Sequence, residues 1–330
     1  MTLAVPMAEI HRGKILESVH VGHAVIARSN GEIVEAFGDS DQIILPRSSI
    51  KMMQALPLVE SGAAKGLTQE QLALACASHS GELRHVERVS AWLHDLGLDE
   101  HALCCGPQAS GDRELRHAMI RERQAPTRVH NNCSGKHAGF LTLTKHLGAR
   151  PDYVDPEHPV QKAVKAAIEE TCGEESPGFG IDGCSAPNYV VSLAGFARGL
   201  ARFASSEAKT SREKAATSIR NAMMTYPGMV AGKGRACTEL MQAAPKKFVV
   251  KTGAEGVFAA IIPELDMGIA LKISDGATRA AEVAIAALLV RVGALDAKHP
   301  TAARYLERPI KNWDGLLTGA ERAAPHLLAR

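Results

Sequence analysis

The sequence predicts an α+β fold in which both chain ends build one antiparallel sheet, interrupted by a large, mainly helical insertion. Three observations carry this expectation: β-type runs with turn signals near the N-terminus, similar runs after residue 246, and helix-like sequence between them. One domain is expected over 1–330, with an α/β lobe at about 1–47 and 241–330 and a helical lobe at about 48–240.

The first element is a hairpin. "ILESVHVGHAVIARSNGEIVEAF", Ile15 to Phe37, holds two β-type runs joined across Asn30-Gly31, a dipeptide that supplies the positive φ angles of a tight turn. Downstream, "KKFVVKTGAEGVFAAIIPELDMGIALKISDG" predicts strands near 247–252, 255–263 and 267–273, broken at Gly253, Pro263-Glu264 and Asp275-Gly276. Next comes an amphipathic helix from Ala277, stopped at Gly293. The most polar, loop-prone stretch is 202–216, and there are no internal repeats.

Composition narrows the function. With 330 residues and 45% hydrophobic content the chain can bury a real core. Its 38 basic and 36 acidic residues give a net charge of +2, with no basic cluster suited to nucleic acid. No window approaches a membrane span, and the opening "MTLAVPMAEIHRGK" lacks the pattern of an export signal, so a cytoplasmic protein is expected. Seven cysteines are too few for a disulfide framework in a chain this long, which fits a reducing compartment.

Two motifs point to nucleophilic chemistry. In "PRSSIK", Ser48 and Lys51 are spaced i, i+3, one turn apart on a single helix face. Such a serine near the first turn is either a nucleophile with its base or an N-cap followed by a solvated lysine. Lys251-Thr252-Gly253 ends the apolar run "FVVKTG", and a late K-T-G strand after an early S-x-x-K is the pattern of serine β-lactamase and penicillin-binding sites. Between them "CASHSGE" offers Ser78, Ser80 and Glu82, for capping or for catalysis. A basic lysine must be neutral to accept a proton, yet an unperturbed one is only about 0.04% neutral at pH 7. Lowering its pKa by about 3 costs about 4 kcal/mol, to be supplied by burial and by neighbouring cations such as Lys51, Lys136 and Lys251 sharing one pocket.

A third segment, "HNNCSGKHAGF", fails as a phosphate loop because His130 and His137 stand where Gly and Ser/Thr are required. Cys133 with Lys136 or His137, joined to Asp182 and Cys184 of "IDGCSAPN", can furnish two thiolates and one or two N/O ligands to zinc. The spacings match no structural zinc module, and buried cysteines that simply pack are the other reading.

With "PRSSIK", "CASHSGE", "HNNCSGKHAGF", "DGCSAPN" and "VVKTGAEG" in this order, the chain resembles the rhizobial-type L-asparaginases over nearly its whole length. The resemblance implies a serine β-lactamase/glutaminase-like fold and two Ser-Lys pairs, Ser48 with Lys51 and Ser80 with Lys251. It also implies Zn²⁺ held by Cys133, Lys136 and Cys184 with Asp182 close by, hydrolysis of the small molecule L-asparagine, and a homodimer. Arg47, Glu82, Arg123, Asn132 and His137 adjoin the motifs and are candidates for binding the substrate's charged groups. Backbone N–H groups at Ser48 and in 253–255, Gly253 included, are the expected oxyanion donors. Rival readings are an L-glutaminase or β-lactamase-like esterase or peptidase of the same fold, and a catalytically silent zinc-binding protein.

Overall fold

A computed structural model describes residues 3–205 and 208–329 of the chain. It divides into two compact units: Met1–Ser49, Val191–Ser206 and Glu239–Arg330 form the first, Ile50–Val190 and Glu207–Thr238 the second.

The first unit is built on an eight-stranded antiparallel sheet drawn from both chain ends, as expected. Its strands are β1 (Val5–Arg12), β2 (Ile15–Arg28), β3 (Ile33–Phe37), β4 (Val249–Thr252), β5 (Val257–Ile262), β6 (Met267–Ile273), β7 (Glu307–Lys311) and β8 (Leu317–Ala323). Their order is β7-β8-β1-β2-β6-β5-β4, with β3 also paired to β2. The predicted hairpin is β2–β3, and Gly31 takes φ 93° in its turn. It is not the first element, however, because β1 precedes it and pairs with both β2 and β8.

The helix Leu193–Ala204 lies on β2 and β6. At Gly268 of β6 a Cβ would sit 2.3 Å from Ala197 O and from Ala201 N, so only glycine permits this approach. This helix therefore belongs with the sheet, whereas the sequence reading put all of about 48–240 in the helical part. The helix Thr278–Arg291 departs from amphipathic expectation. It is buried almost all round, since β1, β5, β6 and β8 pack on it together with Pro300–Leu306 and Pro325–Leu327. Of the loop-prone stretch 202–216, Leu193–Ala204 and Ser211–Thr225 claim the ends as helix, and 206–207 lie outside the described residues.

In the second unit, helices Gln69–Ala75, Leu83–Asp95, Ser134–His146, Pro159–Cys172 and Ser211–Thr225 pack together. Ser134–His146 is buried continuously from Ser134 to Thr144, the signature of a central core helix. At Gly135 a Cβ would lie 2.4 Å from Leu74 O, so glycine lets this helix press against the end of Gln69–Ala75 and carries Lys136 and His137 into the interior. A small hairpin, Phe179–Ile181 with Pro187–Tyr189, holds Cys184 in its turn. No helix among the described residues is long and apolar enough to cross a membrane.

Candidate active site

Lys51 begins the short helix Lys51–Gln54, directly after a 3₁₀ turn over Arg47–Ile50 that contains Ser48. It is 1% exposed. Its Nζ donates to the Ala77 carbonyl, to Ser78 Oγ at 3.0 Å and to Cys133 Sγ at 3.1 Å. Ser78 is thus the hydroxyl that Lys51 touches in the second unit, a pairing that no sequence spacing revealed.

The turn before Lys51 is sharply shaped. Arg47 opens it at φ 52°, a left-handed conformation that costs a non-glycine residue free energy, and Ser49 N–H and Oγ both donate to Pro46 O. Within the first unit, Gly253 at the end of β4 approaches this turn so closely that a Cβ would lie 2.6 Å from Pro46 O. The Gly253 N–H donates to Val257 O at 2.7 Å, so the oxyanion role expected of it is taken by a backbone bond. Close approach explains this glycine better. Lys251, two residues earlier on β4, is fully buried with Nζ donating to Thr252 O at 2.8 Å.

The "CASHSGE" segment is held by a complete set of polar contacts. Ser78 N–H donates to Val230 O, His79 N–H to Asn132 O, and Ser80 Oγ to Ala231 O at 3.0 Å. His79 and His85 stack with ring centroids 4.8 Å apart. His79 Nδ1 accepts the Gly81 N–H and its Nε2 meets Ser134 Oγ; His85 Nδ1 accepts the Glu82 N–H and its Nε2 donates to Gly228 O. Burial holds both histidines below their usual pKa, His79 far below. Glu82 binds the Lys233 N–H at 2.7 Å and Arg84 at 2.7 Å. At Gly232, φ 118°, a Cβ would lie 2.3 Å from Glu82 Oε1 and 2.6 Å from Ser80 Oγ. The segment Ala231–Gly234 is therefore a wall of the Ser80 loop, and the sequence reading missed it.

Beside Lys51 the second unit gathers two thiols and an amine. Lys136 Nζ lies 3.0 Å from Cys184 Sγ, Cys184 and Cys133 act on each other's thiol, and all three residues are buried. The Cys133 thiol is pushed well up by its interaction with Cys184 and then by burial, and its Sγ lies 2.9 Å from Asn132 Oδ1. Cys184 is held far down by donation from Cys133, against its burial, with the Lys136 charge and His137 assisting. Burial alone would lower Lys136, but Cys184 and Cys133 overcome it and hold the amine protonated above its ordinary range. Lys136 is thus paired with the Cys184 sulfur at 3.0 Å.

Two thiolates and an amine nitrogen form an S₂N set suited to zinc, provided Lys136 gives up its proton. No group of three His, Cys, Asp or Glu converges among the described residues. Asp182 is half-buried, binds its neighbour Gly183 N–H at 2.8 Å and acts on Lys136 through charge. Cys105, pushed up to about 12 chiefly by burial, stays a thiol in the surrounding wall. His137 is fully buried, with its pKa lowered to about 4 first by burial, and its Nδ1 lies 2.9 Å from Tyr153 Oη. Arg123 is exposed at φ 55° just past the helix Arg113–Arg121 and makes no hydrogen bond to this cluster. Asn132 is engaged on three sides, by His79 N–H, by the Cys133 thiol and by Gln108 Oε1.

The sequence pattern of L-asparaginase II matches residues 8–323, which places the molecule among asparaginase-type amidohydrolases. The chain belongs to the L-asparaginase II family. Among solved structures it is similar to a β-lactamase from Mycobacterium bovis at 12% identity over 82% of this chain and 94% of that one, TM-score 0.42. It is also similar to Mglu in its native form, at 14% identity over 87% and 68%, TM-score 0.45. A third is the octameric penicillin-binding protein homologue from Pyrococcus abyssi, at 14% identity over 89% and 80%, TM-score 0.37. A search of curated proteins returns no match.

Proposed function

We propose that the protein hydrolyses the side-chain amide of L-asparagine to aspartate and ammonia by a two-step acyl transfer. Ser48 is the nucleophile. Lys51 takes its proton as the oxygen attacks the amide carbon; the C–N bond then breaks, the proton passes to the departing nitrogen through Ser80 and Lys251, and water cleaves the resulting ester. The observation that carries this reading is the family match over residues 8–323, and the fully buried Lys51 among Ser78 Oγ, Ala77 O and Cys133 Sγ supports it. Glu82 and Arg47 remain the nearest candidates in sequence for the substrate's ammonium and carboxylate. Cys133, Lys136 and Cys184 would hold Zn²⁺ with Asp182 beside them, and when bound the ion supplies a positive field that orients substrate polar groups. The active species is taken to be a homodimer.

The contact between Lys51 and Ser78 favours a second assignment within the same chemistry, in which Ser78 relays the proton to Lys51. Ammonia release from L-asparagine and from L-glutamine, measured for wild type, Ser48→Ala, Ser78→Ala, Ser80→Ala and chelator-treated protein, tests these roles. Full activity in both Ser48→Ala and Ser80→Ala refutes the scheme. Glutamine differs by one methylene, worth about 1–3 kcal/mol of discrimination, so the two substrates are compared directly. Hydrolysis of a chromogenic cephalosporin without ammonia release would move the assignment to a β-lactamase-like esterase.

A further inference from the structure

We propose that His79 is a positioning residue for Ser80: its two ring nitrogens tie the peptide that follows Ser80 to the first turn of the helix Ser134–His146, and so fix where the Ser80 hydroxyl stands. This rests on the proton-relay role proposed above for Ser80, and it gives a task to a buried histidine that the mechanism leaves unused. All the residues involved lie in the second unit.

Each hydrogen along this path has one direction. The Gly81 backbone N–H can only donate, and it donates to His79 Nδ1 at 3.1 Å, so that nitrogen carries no hydrogen. A neutral ring then bears its hydrogen on Nε2, which lies 3.0 Å from Ser134 Oγ. Ser134 sends its own hydrogen to Val129 O at 2.9 Å and leaves its lone pairs to the imidazole. His79 is 1% exposed and Ser134 is fully buried, so water does not compete for these bonds.

The bonded amide belongs to a tightly held peptide. Gly81 takes φ 63°, and a Cβ there would lie 2.7 Å from His130 O. The Gly81 carbonyl receives Ser110 Oγ at 2.9 Å, and the Ser80 carbonyl receives the Gly111 N–H at 2.7 Å. His79 therefore holds the donor side of the residue next to Ser80, where other groups hold the acceptor side. The His85 ring stacked on it accepts the following amide, Glu82 N–H, at 3.2 Å and keeps the His79 ring from turning. Without the His79 bond the Gly81 N–H is buried and unpaired, and the peptide can pivot about its held carbonyls and carry Ser80 Oγ away from Ala231 O, now 3.0 Å distant.

A double-mutant cycle on ammonia release from L-asparagine tests this role. Alone, His79→Leu should lower kcat by about 10²-fold, the loss that a displacement of about 1 Å produces, with KM within about threefold of wild type. In a Ser80→Ala background the same change should lower kcat by less than about threefold, because the group it positions is gone. A further loss of about 10²-fold in that background, or a kcat in His79→Leu within about threefold of wild type, overturns the inference while leaving the relay role of Ser80 standing. Full activity in Ser80→Ala itself removes the relay role, and the positioning role with it. Two conservative variants divide the ring's bonds: His79→Asn keeps an acceptor for the N–H two residues on but is too short for Ser134, whereas His79→Gln has the reach for Ser134 and no acceptor in place of Nδ1. His79→Asn should recover to within about tenfold of wild type; recovery in His79→Gln alone overturns the inference. Nitrogen-detected histidine NMR of the wild type, with the His79 signals assigned by their loss in His79→Asn, should show a hydrogen on Nε2 and Nδ1 as acceptor. A hydrogen on Nδ1 or a charged ring at neutral pH overturns the inference whether or not any variant folds.

Discussion

Lys51 Nζ and Cys133 Sγ lie 3.1 Å apart, so the lysine that contacts the serine segment also contacts one of the two thiols of the S₂N cluster. The contact couples two chemistries inside one unit: whatever holds Cys133 in place also fixes Lys51, and through it Ser78. A bound metal would replace the Cys133 proton and keep that sulfur where Lys51 meets it.

Replacing Lys51 separates charge from shape. Lys51→Met keeps much of the volume but leaves Ala77 O, Ser78 Oγ and Cys133 Sγ without their donor, a loss of about 1–3 kcal/mol. On the proposed chemistry, ammonia release should fall by about 10²–10⁴-fold, the usual contribution of a general base. Denaturant melts and initial rates check the two numbers separately. A variant that melts earlier and keeps its rate would make Lys51 purely structural.

Gly232 and Gly234 make a matched pair. Gly232→Ala would drive a Cβ against Glu82 Oε1 and Ser80 Oγ at φ 118°, and should cost about 1–3 kcal/mol and displace the Ser80 loop. Gly234→Ala, at φ 72° with open space around it, should cost only the backbone penalty of about 1 kcal/mol and leave the kinetics unchanged. Urea midpoints and kcat for both variants test the contrast. Equal behaviour would show that the clash is relieved by a small backbone shift.

These residues mark where sequence is informative. Asn30-Gly31 was readable as a turn because the backbone there demands positive φ, and "FVVKTG" as a strand because its apolar run has no helical period. The strand β1 was missed because its pairing with β2 slips at Pro6/Ala8 and Ile10/His11, which disturbs the alternation of "VPMAEIHR". The polar β7 and β8 give equally little signal. Within the site, Cys133, Lys136 and Cys184 were legible as chemistry-bearing types. Ser78 beside Lys51 and Ala231 beside Ser80 join residues 27 and 151 apart, contacts that only the folded chain creates.

Acid should unfold the protein through its buried histidines. His137 is held at about 4 against an ordinary 6.5, and His79 well below the same value. A histidine with a lowered native pKa leaves stability intact above 6.5; below that the unfolded chain takes up a proton that the native state refuses. His137 alone should therefore cost on the order of 3 kcal/mol between pH 6.5 and 4. Thermal melts at pH 7.5 and pH 5 should show a fall in Tm that is smaller in His137→Gln. No change between these pH values would mean that the rings protonate in the native state.

Metal uptake should release protons in a countable way. Cys184 is already a thiolate, held down by donation from Cys133 and by Lys136, and gives none. Cys133 and Lys136 are both held above their ordinary values, so each must lose a proton before it can ligate. Zn²⁺ binding near pH 7 should therefore release about two protons, and affinity should rise about 100-fold per pH unit. Calorimetry in buffers of different ionisation enthalpy counts them. Lys136→Met should bind more weakly and release about one proton, whereas release of two from that variant would remove Lys136 from the ligand set.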